Sequence, residues 1–305
     1  MRVHPPVAAP DEHDSNPMNS NLSRKLAQLT CTVVGAAGCL GAAQADALDF
    51  ISPVTNPLFF EDANVATEVR PIFAQHYIPK SFITGGGEAR VYAAQLRYAV
   101  TERLALIATK DGFIEFHPKT AVPHNDGWAD LAAGLKYALI RDEANHFLVT
   151  PGLKVELPTG NERVFQGSGS GVWDLFTSTA KAWGKYEVQA NVGVTIPNDF
   201  DKKTSLAHYS LQLGYDACRW FKPFVSINGF TVLSDGKGLP LDSEGFDLIN
   251  FGSSNAKGQT QLALGGGFRA EITRKCQLGI AGEAGVGQPK GLFESRITAD
   301  VSYRF

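Results

Sequence analysis

The last residues of the chain alternate between two faces. From Phe293 one face reads Phe293, Ser295, Ile297, Ala299, Val301, Tyr303 and Phe305, and the other Glu294, Arg296, Thr298, Asp300, Ser302 and Arg304. A period of two is the mark of a strand with one apolar and one polar side. Read backwards, the same pattern predicts strands over 276–286, 259–273, 222–233, 204–217, 186–196, 172–183, 147–157, 128–139, 104–111, 87–100 and 67–77. With 293–305 that makes twelve. Residues such as Leu135, Val192, Leu211, Leu213, Val225 and Leu264 fall on the apolar side. Arg97, Asp130, Lys136, Lys154, Glu156, Glu187, His208, Asp216, Arg269, Glu271, Glu294, Arg296, Asp300 and Arg304 fall on the polar side.

Apolar outside and polar inside, repeated over short strands, is the pattern of a barrel in lipid. Closure lets every backbone polar group pair without water. The connections sort by length independently of the strands. Those at one end are short (101–103, 140–146, 184–185, 218–221 and 274–275). Those at the other are mostly long (78–86, 112–127, 158–171, 197–203, 234–258 and 287–292). All four tryptophans (128, 173, 183 and 220) fall at strand ends, where an aromatic girdle meets the interface. The expected fold is all-β, a twelve-stranded antiparallel transmembrane barrel of the bacterial outer membrane. A terminal strand ending on Tyr303 and Phe305 resembles the assembly signal of such barrels. The expected partners are therefore outer-membrane lipid and lipopolysaccharide, the barrel-assembly machinery and small solutes.

The N-terminal region reads as a secretory signal: Arg24 and Lys25, an apolar run over 26–40, and Ala43-Gln44-Ala45 before Asp46. Met18 is the expected start within residues 1–45. Residues 46–66, with Pro53, Pro57, Phe59 and Phe60, precede the barrel proper at 67–305 and are expected either to hang in the periplasm or to fold into the lumen. Past the signal, Cys218 and Cys276 sit at short turns where a bridge is permitted. A net charge of −3, from 28 Lys and Arg against 31 Asp and Glu, offers no basic surplus for nucleic acid. Beyond the signal no apolar run approaches the ~18 residues of a spanning helix.

Thr67-Glu68-Val69-Arg70-Pro71, Gly127-Trp128-Ala129-Asp130-Leu131, Leu135-Lys136-Tyr137, Leu157-Pro158-Thr159-Gly160 and Gly167-Ser168-Gly169-Ser170 together resemble the outer-membrane family labelled "putative MetA-pathway of phenol degradation". The resemblance spans most of the chain and implies a porin-like role for small organic molecules, aromatic ones among them. It brings no catalytic set.

No cofactor or metal set can be assembled from the sequence. Gly167–Gly171 lacks the Lys-Ser/Thr and the helix that a phosphate loop needs. The remaining histidines have no ligand spacing. Asp242, Glu244 and Asp247 read as a solvated outer loop that does not match a calcium-binding pattern. His208 and Ser210 share a strand face, but that face points inward and no acid partner is assignable. Three classes of function stay open. A passive channel is favoured by the polar lumen, a plugged structural or adhesive barrel by the modest bore of twelve strands. A lipid-modifying hydrolase ranks last. The near-balance of inward charge predicts weak ion selectivity, since selective pores show rings of one sign.

Overall fold

The computed structural model describes residues 48 and 50–305. The signal-peptide reading lies outside the described residues. Among the described residues, fifteen strands form one antiparallel sheet: β1 (Glu68–Ile78), β2 (Gly87–Ala99), β3 (Leu104–Lys110), β4 (Phe113–Pro118), β5 (Asn125–Trp128), β6 (Leu131–Tyr137), β7 (Ile140–Asp142), β8 (Phe147–Leu157), β9 (Val172–Trp183), β10 (Tyr186–Pro197), β11 (Leu206–Tyr215), β12 (Lys222–Val232), β13 (Thr260–Glu271), β14 (Cys276–Val286) and β15 (Ser295–Arg304). The sheet closes because β1 pairs with β2 on one edge and β15 on the other, with Phe73 opposite both Tyr92 and Ala299. Twelve staves make the ring: β3 and β4 share one, β5 and β6 another, and β7 is a short ribbon beside β8.

The shared staves correct the sequence reading of 112–127 as a loop. Phe113–Pro118 continues the wall against β2 and returns as β5, so the barrel rises higher on this side. The interruption falls at Asp111–Gly112. Gly112 holds φ +106°, and a Cβ there would stand 2.3 Å from the Tyr92 carbonyl oxygen, so no other residue suits the bend. The Asp111 carboxylate accepts from the Ala94 N–H (3.0 Å), supplying a partner where the ladder lapses.

The outside of the ring is apolar along the staves and aromatic at both rims. The Phe73 and Tyr92 rings lie tilted to each other at 5.3 Å in mid-strand, and Phe113 and Trp128 meet edge-on at 5.5 Å toward the long-loop end. Trp183, Tyr186, Tyr215 and Trp220 are exposed toward the tight-turn end, with the Tyr186 and Tyr215 rings 4.9 Å apart. The last strand keeps its two faces, with Ile297, Val301 and Tyr303 outward and Arg296, Thr298, Asp300 and Ser302 buried inside. Phe293 departs from that face. It precedes β15, turns inward and packs on His76 and Phe246, because the chain has not yet entered the pleat.

Candidate functional site

The lumen is polar, and many of its charged groups are paired. Bidentate Arg269 binds Asp300 at 2.8 Å through each of its two terminal guanidinium nitrogens. Arg296 holds Glu283 (2.8 Å) and, on its other side, Asp247 (2.7 Å). Lys154 bridges to Asp174 (3.0 Å), which also meets His208 Nε2 at 2.9 Å. Lys110 reaches Glu156 at 2.8 Å. A bare charge at such depth costs several kcal/mol, and pairing offsets that cost.

Residues 50–66 run through this lumen, and the wall is built to hold them. The segment turns at Asn56–Phe60, where the Asn56 carbonyl accepts from the N–H groups of Phe59 and Phe60, and most of its other carbonyl groups are satisfied by side chains from the wall. Gln189 and Gln212 both donate to the Ile51 carbonyl (2.7 Å each), and Glu187 accepts from the Ile51 N–H. Arg269 donates to the carbonyls of Ser52 and Pro53. Gln95 donates to Pro57, Lys154 to Leu58, Ser178 to Glu61 and Thr150 to Ala63. The firmest attachment is Glu61. Arg97 grips its carboxylate through two nitrogens (2.8 and 2.7 Å) and Lys136 adds a third contact at 2.7 Å. Small residues make the room: a Cβ on Gly279 would lie 2.7 Å from Val54, and one on Gly265 2.8 Å from Thr55.

A second obstruction comes from the long loop 234–258. The sequence reading of the loop's acidic residues as solvated holds for Asp242, which is exposed, and is corrected for Glu244 and Asp247, which are buried. Glu244 accepts from the N–H groups of Phe251 (2.6 Å) and Ser253 (2.8 Å) and from the Thr204 hydroxyl (3.1 Å). Burial pushes its carboxyl above the ordinary range, which these donors only partly offset. So pinned, the loop turns Phe246, Leu248, Ile249 and Phe251 inward. Phe246 meets Phe230 at 4.6 Å and Phe293 at 4.3 Å.

Arg97, Asp130, Lys136, Lys154, Glu187, His208, Arg269, Arg296 and Asp300 are all buried within the ring, with Glu156 a little more open. Asp216 is a correction: it follows β11 in a turn, with its side chain 49% exposed. Glu271 sits at the rim, 3.9 Å from Lys222. Glu294 precedes β15 and pairs with Lys290 across the loop end rather than lining the bore. Cys218 and Cys276 are both free thiols, so the permitted bridge is not formed. Sequence reasoning missed Glu68, Arg70, Asp174 and Glu283, all buried inside. Alternation carried through β1, β9 and β14 would have found them.

His208 and Asp174 form a buried pair, and among the described residues no third group is seen to complete a hydrolytic set around them. Ser210 accepts from Asn56 (3.1 Å) in the inserted segment, and the second ring nitrogen of His208 has no protein partner. Among the described residues no group of three or more His, Cys, Asp or Glu is placed to hold a metal ion.

The family described as "Putative MetA-pathway of phenol degradation" matches residues 83–298. No curated protein matches the sequence. Among solved structures, the chain is similar to an outer membrane channel from Pseudomonas putida F1, at 15% identity and a TM-score of 0.54, over 84% of this chain and 100% of that one. The NanC porin aligns at 11% identity and a TM-score of 0.49, over 79% of this chain and 99% of that one. The first of these likenesses shows a shared outer-membrane barrel fold.

Proposed function

The chain belongs to the family "Putative MetA-pathway of phenol degradation", and on that premise we propose that it is an outer-membrane channel, closed at rest, for small organic molecules including aromatic ones. Its tight turns and C-terminal residue face the periplasm and its long loops face outward, as in barrels of this class. The observation that carries the reading is the nature of the obstruction. Residues 50–66 lie inside the ring but outside the wall, since the closing seam between β1 and β15 begins only at Glu68. The segment is held through hydrogen bonds and ion pairs to lumen side chains, so it can withdraw without opening the sheet. The balanced lumen pairs support passage of neutral or weakly polar solutes over ions.

The test is swelling of liposomes carrying the full chain, with phenyl glucoside as a neutral aromatic solute that bilayers exclude. Slightly faster swelling than in protein-free liposomes is expected, and much faster swelling for a chain lacking residues 50–66; equal rates for that deletion would contradict the channel.

The second reading, a permanently plugged structural barrel, is favoured by obstruction from both the segment and the loop, and it is what equal rates would leave.

A further inference from the structure

The carboxylate of Glu61 sits in the lumen as a bound carboxylate would. Arg97 meets it side-on, with Nε on one oxygen (2.8 Å) and Nη2 on the other (2.7 Å), and Lys136 Nζ reaches the first oxygen at 2.7 Å. A planar fork matched to both oxygens is the geometry of carboxylate recognition. The fork does not depend on the segment for its aim. Two wall residues hold it from behind: Glu68 accepts from Nη1 (3.3 Å) and the Gln95 carboxamide oxygen from Nη2 (3.0 Å). Gln95 donates in turn to the Thr109 carbonyl (2.8 Å), and Glu68 accepts from the Ser302 hydroxyl (3.0 Å).

Lys136 is placed differently. Among the described residues its ion pair and its other hydrogen bond, to the Asp62 carbonyl (2.7 Å), both go to the segment. Withdrawal of residues 50–66 therefore leaves an aimed guanidinium and a bare ammonium facing one vacated space, which favours an anion there. The space has an apolar flank. Ile107 stands directly opposite Arg97 and Ala105 directly opposite Lys136 on the neighbouring strand, and both pack in one cluster with Val65 of the segment.

We propose that Arg97 and Lys136 form a binding site for the carboxylate of a small organic acid, with Glu61 as the internal ligand that fills it while the segment is seated. The apolar flank favours an acid with a short hydrocarbon body over an inorganic anion. Acid and Glu61 exclude each other, so by linkage the acid favours the unseated segment. Arg269 with Asp300 and Arg296 with Glu283 keep their wall partners, so the anion site is local in an otherwise balanced lumen. The acid acts as an opener and differs in class from the neutral solutes of the channel reading. Its purpose rests on that reading, but binding is measured apart from transport.

The experiment titrates butyrate and its neutral isostere butyramide into the detergent-solubilised full chain by calorimetry, at constant pH and ionic strength. Glu61→Ala removes the internal ligand, and butyrate is expected to bind at least about tenfold tighter than to the unaltered chain. Glu61→Gln, which keeps the size of the side chain, is expected to give a smaller gain in the same direction. Butyramide should bind none of them, and adding Arg97→Gln to Glu61→Ala should abolish the preference for butyrate. Heat-modifiable migration on gels confirms a folded barrel for each variant. Equal butyrate affinity in the unaltered chain and both Glu61 variants would overturn the proposal, as would equal binding of butyrate and butyramide by Glu61→Ala. In the unaltered chain, saturating butyrate should accelerate amide exchange at Ile51 and Asn56. Exchange left unmoved while Glu61→Ala binds butyrate would overturn the coupling and keep the site. Butyrate binding without swelling of liposomes carrying the chain that lacks residues 50–66 would keep the site and remove the channel; swelling without binding would do the reverse.

Discussion

Glu61 is the residue on which closure turns. Its carboxylate pairs with two buried cations, Arg97 and Lys136. Glu61→Ala leaves both without this partner, and breaking a buried pair from one side costs about 3–5 kcal/mol. That cost falls on the seated state of residues 50–66. Amide exchange at Ile51 and Asn56 should therefore accelerate in Glu61→Ala while the wall strands stay protected; unchanged exchange at both would show that Glu61 does not hold the segment. The wall side of this arrangement was legible in the sequence. Arg97, Lys136, Lys154 and Arg269 stand on the polar face of alternating strands. Their partners in residues 50–66 were not legible, because a segment carried by side-chain bonds has no period of its own. Asp174 escaped because the alternation of 172–183 is blurred by small residues and threonines that suit either face.

Among the elements, the outer loop carries its own pH dependence. Burial raises the Glu244 carboxyl, so the folded loop favours the protonated form more than the unfolded chain does. The loop should gain stability as pH falls into the mildly acidic range and lose it as pH rises through the raised pKa. Exchange at Phe251 and Ser253 should therefore slow on acidification, and Glu244→Gln should flatten that dependence; a slope of the opposite sign would contradict it. The loop's length was readable, but its inward turn was not, since nothing in the local pattern declares that Glu244 will bond its own backbone. The β4–β5 hairpin was hidden similarly: a single bulge at Asp111–Gly112 breaks the alternation and disguises continuing wall as loop. For the last strand, Tyr303 and Phe305 are proposed as the recognition element of the assembly machinery. Deleting Phe305 should lower the yield of heat-modifiable barrel in the outer membrane, and an unchanged yield would remove that role.

At the scale of the whole molecule, two structures share one space. The ring is complete without residues 50–66, and the bore is full with them. The ring followed from period-two patterning because lipid outside and polar groups inside impose opposite demands on successive residues. The filling did not, because it depends on distant side chains meeting one backbone. The central claim is that this segment closes an otherwise open channel. Single-channel conductance in planar bilayers tests it most directly, comparing the full chain with one lacking residues 50–66. Small, rare openings are predicted for the full chain. A steady and several-fold larger conductance with little preference between cations and anions is predicted for the deletion. A folded deletion barrel that conducts no better than the full chain would contradict the claim.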